Sequence, residues 1–408
     1  MRALTITALL AVLSLTAVGC GTDQSRGGQV PGDTLTIYSS LPLQGVHGAQ
    51  SQSIVNAEKL ALKEAGGQAG KFTINFASRD DSTAGDGQDP GWNPGRTADN
   101  ASKAAQDSRT IAYIGEFDSG ATAISLPVTN EASIVQVSPA ATAVGLTKLV
   151  PGSEKGEPDR FYPTGERTFA RVVPADDVQA KAEVQWARDV GARRIFLVDD
   201  RSVEGRALAE QVQIASEGKL EVAGRKGMDP RADDYADLAK EIAGKHPDLV
   251  YFGGGAESNA LRFWQDMHAA APSARLMGPD LLIVPDFYEH LGNAASLTYL
   301  TSATKDPSRL PARGQRFLRD YRREFGEEPD PYAAYGHASM SLLLDVLRRA
   351  GSNANRREKV VKELLNTRNF ESAIGTFSLD VNGDTDLNEV AGYRVRNGRL
   401  VFAKPLRG

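Results

Sequence analysis

Two hydroxyl residues stand just beyond two consecutive apolar runs in the first half of the chain. Ser119 follows the run 111–114, and Thr142 follows the run 134–137. In an open α/β sheet, ligands bind at the carboxyl ends of the strands. There, a hydroxyl and free backbone N–H groups can hold an anion such as a carboxylate. We therefore predict a small-molecule cleft at this edge of a sheet. The alternative is that both residues only cap the turns that follow them.

Catalytic motifs are missing from the sequence. It has no G-x-S-x-G elbow, no H-E-x-x-H pair and no phosphate-binding G-x-x-x-x-G-K-[ST] loop. The histidines are scattered without ligand spacing, and the run Gly253-Gly254-Gly255 lacks the further glycine of a dinucleotide loop. We therefore predict a binding protein with no catalytic residue, no metal ion and no cofactor.

The first residues look like an export signal. A basic start is followed by the mostly apolar run 3–18, which is short for a permanent membrane span. Small residues at 17–19 precede Cys20, the only cysteine, and this ending resembles a bacterial lipobox. We predict a lipoprotein signal peptide over 1–20, lipidation at Cys20 and a flexible Gly/Ser/Gln-rich tether over 21–33. The alternative is an ordinary cleaved signal with an incidental cysteine.

Composition favours an exported body with two domains. The chain has 408 residues, which exceeds the usual size of a single core. No apolar run beyond residue 20 is long enough to cross a bilayer. The net charge is −5 with both signs dispersed, which argues against nucleic acid as a partner because no basic stripe is present.

Strand-like and helix-like segments alternate along the body. One βα series runs from residue 34 to about residue 171, and a second begins after it. Two successive series predict an α/β protein with two parallel-sheet lobes. The chain ends in segments 375–379 and 392–396, which we predict to pair as a hairpin.

A family resemblance emerges from the order and spacing of several segments. The chain resembles the leucine/isoleucine/valine-binding branch of the type I periplasmic binding proteins, which serve ABC transporters. The segments that carry the resemblance are YSSLPLQG, IGEFDSGATA, VSPAATAVGLT, RVVPADDVQAKAEVQWA, IFLVDDRSVEGRALA, DLVYFGGGAESNALRFWQDM, MGPDLL and YAAYGHASMSLLLDVLRRAG.

The resemblance implies two doubly wound α/β lobes that close on a ligand like a hinge. Three crossovers would join them, near 171–173, 300–302 and 375–377. Lobe 1 would then comprise 34–171 and 303–375, and lobe 2 would comprise 172–301 and 376–408.

The resemblance also implies which residues touch the ligand. Ser119, flanked by Phe117 and Asp118, would bind a ligand carboxylate together with Ala140 and Thr142. Asp280 would pair with the ligand ammonium, because a buried ammonium needs a counter-charge.

Two positions depart from the family pattern. Glu204 and Gly255 stand where the family has aromatic pocket residues, and no aromatic residue is found in the loop 45–50. We expect a roomier and more acidic cleft, suited to a larger, polar or cationic solute rather than to leucine, isoleucine or valine. Alternatively, Asp118 and Glu204 are simply solvated. We expect Tyr332 and Tyr335 to pack within the lobe and not to touch solute.

The resemblance further implies partners. An ABC permease and its ATPase would receive the solute, the N-terminal lipid would hold the protein at the membrane, and the protein would act as a monomer. The alternative is an anchored sensor that reports to a signalling partner. The run 380–386 looks like a partial calcium loop, but a hairpin turn is the better interpretation, because Ala391 stands at the closing position. The acidic loop 80–89 is expected to be solvated.

Overall fold

The computed structural model describes residues 28–82, 91–151 and 153–408. The predicted signal peptide, with Cys20, lies outside these residues, as does most of the acidic loop 80–89. Residues 21–27 of the predicted tether 21–33 also lie outside the described residues. Val30 is buried, and its backbone N–H donates to the carbonyl of Asn355 at 2.7 Å. Its apolar side chain fits the core, so the chain is fixed to the body from about this residue.

The first sheet has six strands in the order β2-β3-β1-β4-β5-β6. All neighbours are parallel except the short β2, which runs antiparallel to β3. Every residue of β4 is buried, as expected for a central parallel strand that is covered on both faces. The strands are β1 (Thr34–Leu41), β2 (Gln68–Ala69), β3 (Phe72–Asp80), β4 (Thr110–Ile114), β5 (Val135–Ser138) and β6 (Phe169–Arg171).

The second sheet has seven strands in the order β15-β14-β11-β10-β9-β7-β8. Its central strands are parallel, and the C-terminal hairpin β14–β15 adds an antiparallel edge. The strands are β7 (Arg194–Asp199), β8 (Glu221–Gly227), β9 (Leu249–Gly253), β10 (Arg275–Gly278), β11 (Thr298–Ser302), β14 (Glu389–Arg396) and β15 (Arg399–Arg407). A small separate ribbon pairs β12 (Phe370–Ser372) with β13 (Gly375–Phe377).

Helices cover both sheets, and local signals set where several of them begin and end. The Asn93 side chain caps α2 with Pro94 in the first turn, the Ser202 hydroxyl caps α5, and Gly326 ends α9 in a left-handed conformation. The helices are α1 (Gly48–Glu64), α2 (Pro94–Gln106), α3 (Ser119–Glu131), α4 (Asp176–Asp189), α5 (Val203–Ser216), α6 (Ala236–Ala243), α7 (Ala260–Ala270), α8 (Pro285–Tyr288), α9 (Ala312–Phe325), α10 (Ala333–Ala350) and α11 (Arg357–Leu365).

Two lobes follow from this arrangement, and we name them by their sheets. Lobe 1 is the first sheet with α1–α3 and α9–α11; one large apolar core joins α1 and α9–α11 to the sheet, whereas α2 and α3 contribute to smaller apolar clusters. Lobe 2 is the second sheet with α4–α8, and it has apolar cores on both faces of the sheet. The chain passes between the lobes after β6, after β11 and after β13. The mixed α/β architecture with parallel sheets confirms the predicted fold class, whereas the residue boundaries of the lobes stay a prediction. Across the described ranges, none of the helices has the length and apolar character needed to span a membrane.

The predicted pairing of 375–379 with 392–396 is wrong. Strand β13 pairs with β12, and β14 pairs with β11 and β15. The reason is the tight turn Asn397-Gly398, where both residues have positive φ (51° and 69°), as a two-residue hairpin turn requires. This turn directs the chain from β14 straight into β15.

A buried ion pair joins two of the interlobe passages. The Arg171 guanidinium, at the end of β6, lies 2.8 Å from the Asp384 carboxylate and is completely buried. Asp384 belongs to the run 380–386, where the Asp380 carboxylate accepts hydrogen bonds from the backbone N–H groups of Asn382 and Asp384. The run is therefore a turn whose Asp384 is paired with an arginine.

Candidate functional site

A small cavity lies where the two lobes face each other. Its volume is about 10 Å³, room for roughly one water molecule. The lobes are therefore closed on each other here, and a solute needs them to separate. Lobe 1 contributes Gln50, Phe117, Ala140, Thr142 and Tyr332, and lobe 2 contributes Glu204, Asp280 and Leu281.

A hydrogen bond crosses this cavity. Tyr332, just before α10, donates its hydroxyl to the carboxylate of Asp280, which follows β10 and Pro279. The Phe117 ring packs edge-on against Tyr332, with 5.5 Å between the ring centroids. Burial raises the pKa of Asp280, although the bond from Tyr332 acts in the opposite direction. The expectation that Tyr332 only packs within its lobe is therefore wrong. Tyr335 does pack within its lobe: it is buried, and its hydroxyl accepts from the backbone of Lys305.

Ser119 and Thr142 come together as predicted, but the backbone N–H groups beside them are not free. The Ser119 hydroxyl accepts hydrogen bonds from the N–H groups of Thr142 and Ala143, at 3.2 and 3.1 Å. The Ser138 hydroxyl accepts from Ala140 and from the next residue, at 3.1 and 2.8 Å. The expectation of free N–H donors here is wrong, because two serine side chains satisfy these donors in the closed form.

Arg171 fixes this loop from behind. Its guanidinium donates to the carbonyls of Ala141 and Ala143, at 3.1 and 2.9 Å, and to the Thr147 hydroxyl at 2.6 Å. The carbonyl of Thr142 also accepts a 2.9 Å bond from the backbone of Asp176 in lobe 2. This loop of lobe 1 is therefore hydrogen-bonded directly to lobe 2.

Asp118 points away from the helix that it precedes. It occupies the N-cap position of α3, where an aspartate normally accepts a backbone hydrogen bond, yet its side chain caps nothing. The residue is only 7% exposed, and Oδ2 has no hydrogen-bond partner among the described residues. The solvated interpretation of Asp118 is therefore wrong.

The space beside Gly255 is filled by another carboxyl. A Cβ atom at Gly255 would stand 2.1 Å from Oε1 of Glu257, so the Glu257 side chain folds back over the glycine. Oε2 of Glu257 is buried without a partner in the described structure. The space left by the missing aromatic side chain at Gly255 is therefore filled by a carboxyl group, and neither Gly255 nor Glu257 lines the small closed cavity.

Carboxyl groups dominate the electrostatics of the cleft. The pKa of Glu204 lies well above its usual value, first because of burial and then because Asp118, Asp176, Asp280 and Glu257 repel its charged form. Burial likewise raises the pKa of Asp118 well above its usual value, and Asp81 and Glu257 add to the shift. Burial raises the pKa of Glu257 to about 7 and that of Asp176 to about 7. The cleft is thus acidic, as predicted. In the closed form it is not roomier than expected for the family but holds only about 10 Å³.

The sequence did not single out Gln50, Leu281, Tyr332 or Glu257 as parts of the site. The only sequence feature that could have pointed to Glu257 is its position two residues after Gly255, a predicted site residue. Gln50 lies in the first turn of α1, and its amide oxygen accepts a hydrogen bond from Nδ1 of His47 at 3.2 Å. Tyr332 gave no local signal, because only the packing of α10 against α1 brings it to the cleft.

A larger groove of about 660 Å³ lies on lobe 1, away from all predicted site residues. It is lined by α1, α9, α10 and the segment before β12. Much of its charge is already paired: Arg349 with Asp345 and Glu363, and Arg313 with Glu371. Because only one lobe forms this groove, closure of the lobes would not enclose a solute there.

The chain matches known proteins over most of its length. A family model described as periplasmic binding protein matches residues 34–398. The Leu/Ile/Val-binding protein BraC3 of Rhizobium johnstonii is 24% identical over 91% of this chain and 94% of its own length. This similarity confirms the predicted resemblance to the Leu/Ile/Val-binding branch.

Solved structures share the fold. The leucine-binding protein LivK of Thermotoga maritima has a TM-score of 0.76 at 22% identity, with 91% of this chain and 99% of that chain covered. The branched-chain amino acid transporter substrate-binding protein LivJ of Streptococcus pneumoniae, in complex with isoleucine, has a TM-score of 0.73 at 20% identity, with 92% and 100% covered. With the family match over residues 34–398, these likenesses lead to one conclusion: the chain belongs to the periplasmic binding protein family.

Proposed function

We propose that this protein is the extracytoplasmic solute-binding lipoprotein of an ABC importer. The observation that carries the proposal is the cavity between the lobes, which receives side chains from both and is bridged by Tyr332 and Asp280. A site divided between two lobes binds by closing, and closing buries the solute. Named relatives bind branched-chain amino acids, which supports an amino acid or a related small polar solute as the ligand class.

The function consists of capture and delivery without chemical change. Separation of the lobes would break the bond between Tyr332 and Asp280 and expose both groups to a solute. A ligand ammonium would then replace the Tyr332 hydroxyl as the partner of Asp280. The Ser119 and Thr142 hydroxyls and the backbone at Ala140 would hold the opposite end of the solute. The closed protein would then dock on a permease, which its ATPase drives.

The lobe boundaries and the anchor belong to the same proposal. Lobe 1 would comprise 34–171 and 303–375, and lobe 2 would comprise 172–301 and 376–408, so that both can rotate as units. Lipidation of Cys20 would keep the protein beside its permease. If so, Cys20→Ala should shift the protein from the membrane fraction to the soluble fraction, whereas Cys20→Ala with an added transmembrane anchor should restore uptake.

Calorimetry on the soluble body tests the binding function. Residues 28–408 are titrated with the standard amino acids, amides and small diamines, and small-angle scattering is recorded with and without each solute. The proposal expects at least one solute to bind with micromolar affinity or better and to shift the equilibrium between open and closed lobes further towards the compact, closed form. Binding of no member of the panel, with an unchanged scattering profile, would contradict it.

A further inference from the structure

Three carboxyls near the interlobe cavity, those of Asp118, Glu204 and Glu257, form no salt bridge with another described residue, and of the three only Glu204 lines the closed cavity. Asp118 is buried to more than nine-tenths, and one of its oxygens has no hydrogen-bond partner among the described residues. Glu257 reaches back over Gly255, again with one unpartnered buried oxygen. Glu204 lines the cavity itself. The charged neighbours that act most strongly on Glu204 and Asp118 are other carboxyls.

These groups come from different elements and still meet. Asp118 precedes α3 in lobe 1, Glu204 lies in the first turn of α5, and Glu257 lies in the turn after β9 in lobe 2. Helix α3 also packs against α5 across the lobes. Closure therefore brings like charges together, which costs free energy unless protons or a bound cation compensate them.

A purely structural role explains these positions poorly. The Asp118 side chain does not cap α3, so it gives that helix none of the usual stabilisation of an N-cap. The Glu257 carboxyl occupies the space that a side chain at position 255 would take. One oxygen of this carboxyl has no hydrogen-bond partner among the described residues. Buried, strongly perturbed carboxyls in a cleft are typical of groups that bind or react.

The remaining lining is mixed, with polar Gln50 and Thr142 beside apolar and aromatic side chains. Phe117 and Leu281 line the cavity, and the Tyr332 ring stands beside Phe117. An aliphatic chain can pack on such walls, and ring faces attract cationic nitrogens. Asp280 lines the same cavity as Glu204, so the site offers carboxyls for two separate positive groups beside apolar and aromatic side chains.

We propose that the cleft takes a solute with two cationic nitrogens, one held by Asp280 and the second by Asp118, Glu204 and Glu257. This inference rests on the proposed function, since it names the class of solute for the same cleft. Two sources share this chemistry: a dibasic amino acid, which also has a carboxylate, and a simple diamine, which has none. The hydroxyls of Ser119 and Thr142 would be needed by the amino acid only.

Calorimetry near neutral pH tests the inference with four probes: L-ornithine, 1,4-diaminobutane, L-leucine and calcium chloride. We expect ornithine or diaminobutane to bind at least about tenfold more tightly than leucine, since a desolvated ion pair forms only with the second nitrogen. Preference for ornithine would assign the dibasic amino acid, and preference for diaminobutane would assign the diamine.

Matched variants locate the second nitrogen. Glu257→Gln and Asp118→Asn keep the side-chain shape and should weaken dication binding about 10- to 100-fold with little effect on any leucine binding. Glu217→Gln, on the exposed end of the same helix as Glu204, should leave binding unchanged. Thermal unfolding of each variant shows whether it is folded. In addition, dication binding should release protons from the cleft, seen as a binding enthalpy that differs between phosphate and Tris buffers.

The outcomes separate this inference from the proposed function. If leucine binds as tightly as both dications, the cleft is a solute site and the inference is wrong. If calcium binds and the dications do not, the carboxyls hold a metal ion and the inference is wrong. If the charge-neutral variants bind a dication as well as the unmodified protein does, the second nitrogen lies elsewhere and the inference is wrong. If none of the probes binds, the inference fails, and the scan of further solutes decides the proposed function.

Discussion

The Tyr332 hydroxyl donates a hydrogen bond to the Asp280 carboxylate across the interlobe cavity, so one side chain of lobe 1 holds one side chain of lobe 2. Both residues line the cavity in which we place the solute. The bond therefore has two effects: it favours the closed arrangement, and it occupies the carboxylate that a ligand ammonium would use. A solute that bound Asp280 as proposed would therefore have to compete with a tyrosine hydroxyl of the same protein.

Tyr332→Phe should open the ligand-free protein. The substitution removes one hydroxyl and keeps the ring that packs against Phe117. A hydrogen bond to a charged group contributes about 1.5–3 kcal/mol, so the open-to-closed ratio should rise about tenfold or more. Small-angle scattering of the ligand-free variant should show a larger radius of gyration than that of the unmodified protein.

Tyr321→Phe is the matched control for this experiment. Its hydroxyl bonds Ser53 and Glu327 on lobe 1, away from the cleft. Its scattering profile should not change. Identical profiles for Tyr332→Phe and the unmodified protein, under conditions where the unmodified protein is closed, would show that the bond does not hold the lobes.

Arg171→Gln should destabilise the protein strongly. Arg171 is completely buried, pairs with Asp384 and donates to the carbonyls of the loop that holds Thr142. Removing the guanidinium leaves Asp384 with only the partly exposed Lys148, 3.2 Å away, as its counter-charge, and leaves two loop carbonyls without their donor, so the loss should be about 3 kcal/mol. Urea unfolding should show this loss in the free energy of unfolding.

The Arg313–Glu371 pair provides the comparison, because both side chains are more than half exposed. Exposed pairs contribute roughly 0–1 kcal/mol, so Arg313→Gln should change the free energy of unfolding by no more than that. Equal losses for Arg171→Gln and Arg313→Gln would mean that the buried pair has no special role.

The sequence predicted the part of the site that follows directly from strand ends. Ser119 and Thr142 stand one loop beyond β4 and β5, and parallel neighbouring strands must bring their carboxyl ends together. Their meeting, with Thr142 N–H 3.2 Å from the Ser119 hydroxyl, needed no knowledge of the rest of the fold.

The other wall of the site could not be predicted in this way. Tyr332 reaches the cleft through the packing of α10 against α1, which brings together segments far apart in the chain. Glu257 occupies the space beside Gly255 only because its side chain folds back, and rotamers are decided by tertiary packing. Residue types at single positions indicated acidity correctly, but the volume of the cleft depends on how far the lobes close.

Glu58 should make the protein less stable as pH rises. It is completely buried in α1 with both carboxyl oxygens unpartnered in the described structure, and burial raises its pKa from 4.5 to about 8. Between these values the folded protein keeps the proton and the unfolded chain loses it. The free energy of unfolding should therefore fall by up to about 1.4 kcal/mol per pH unit as pH rises through this window.

Glu58→Gln removes this titration, so the variant should be more stable than the unmodified protein near pH 8 and should lose less stability between pH 5 and pH 8. Urea unfolding at both pH values measures the difference. Glu131→Gln, an exposed residue at the end of α3, should keep the original pH dependence. Parallel pH profiles for Glu58→Gln and the unmodified protein would show that Glu58 does not retain its proton on folding.

Gly253 and Gly255 belong to the run that suggested an incomplete dinucleotide loop. Each is a glycine for a different structural reason, and substitution of each by alanine should distinguish the two reasons. A Cβ atom at Gly253 would stand 2.3 Å from the backbone carbonyl oxygen of Gly205, so α5 can approach β9 only over a glycine. The three atoms nearest to a Cβ atom at Gly255 all belong to the carboxyl group of Glu257, which can rotate away. Overpacking against a backbone costs about 1–3 kcal/mol or more, whereas a flexible side chain relaxes at little cost.

Gly253→Ala should therefore lower the free energy of unfolding by about 2 kcal/mol or more, and Gly255→Ala by less than about 1 kcal/mol, as measured by urea unfolding. Gly255→Ala should still displace the Glu257 carboxyl, because the new methyl group takes its place. A crystal structure of this variant would show the displacement directly. If Gly255→Ala proved as destabilising as Gly253→Ala, the Glu257 side chain would be fixed in its folded-back position, and its carboxyl would be part of the rigid framework of lobe 2.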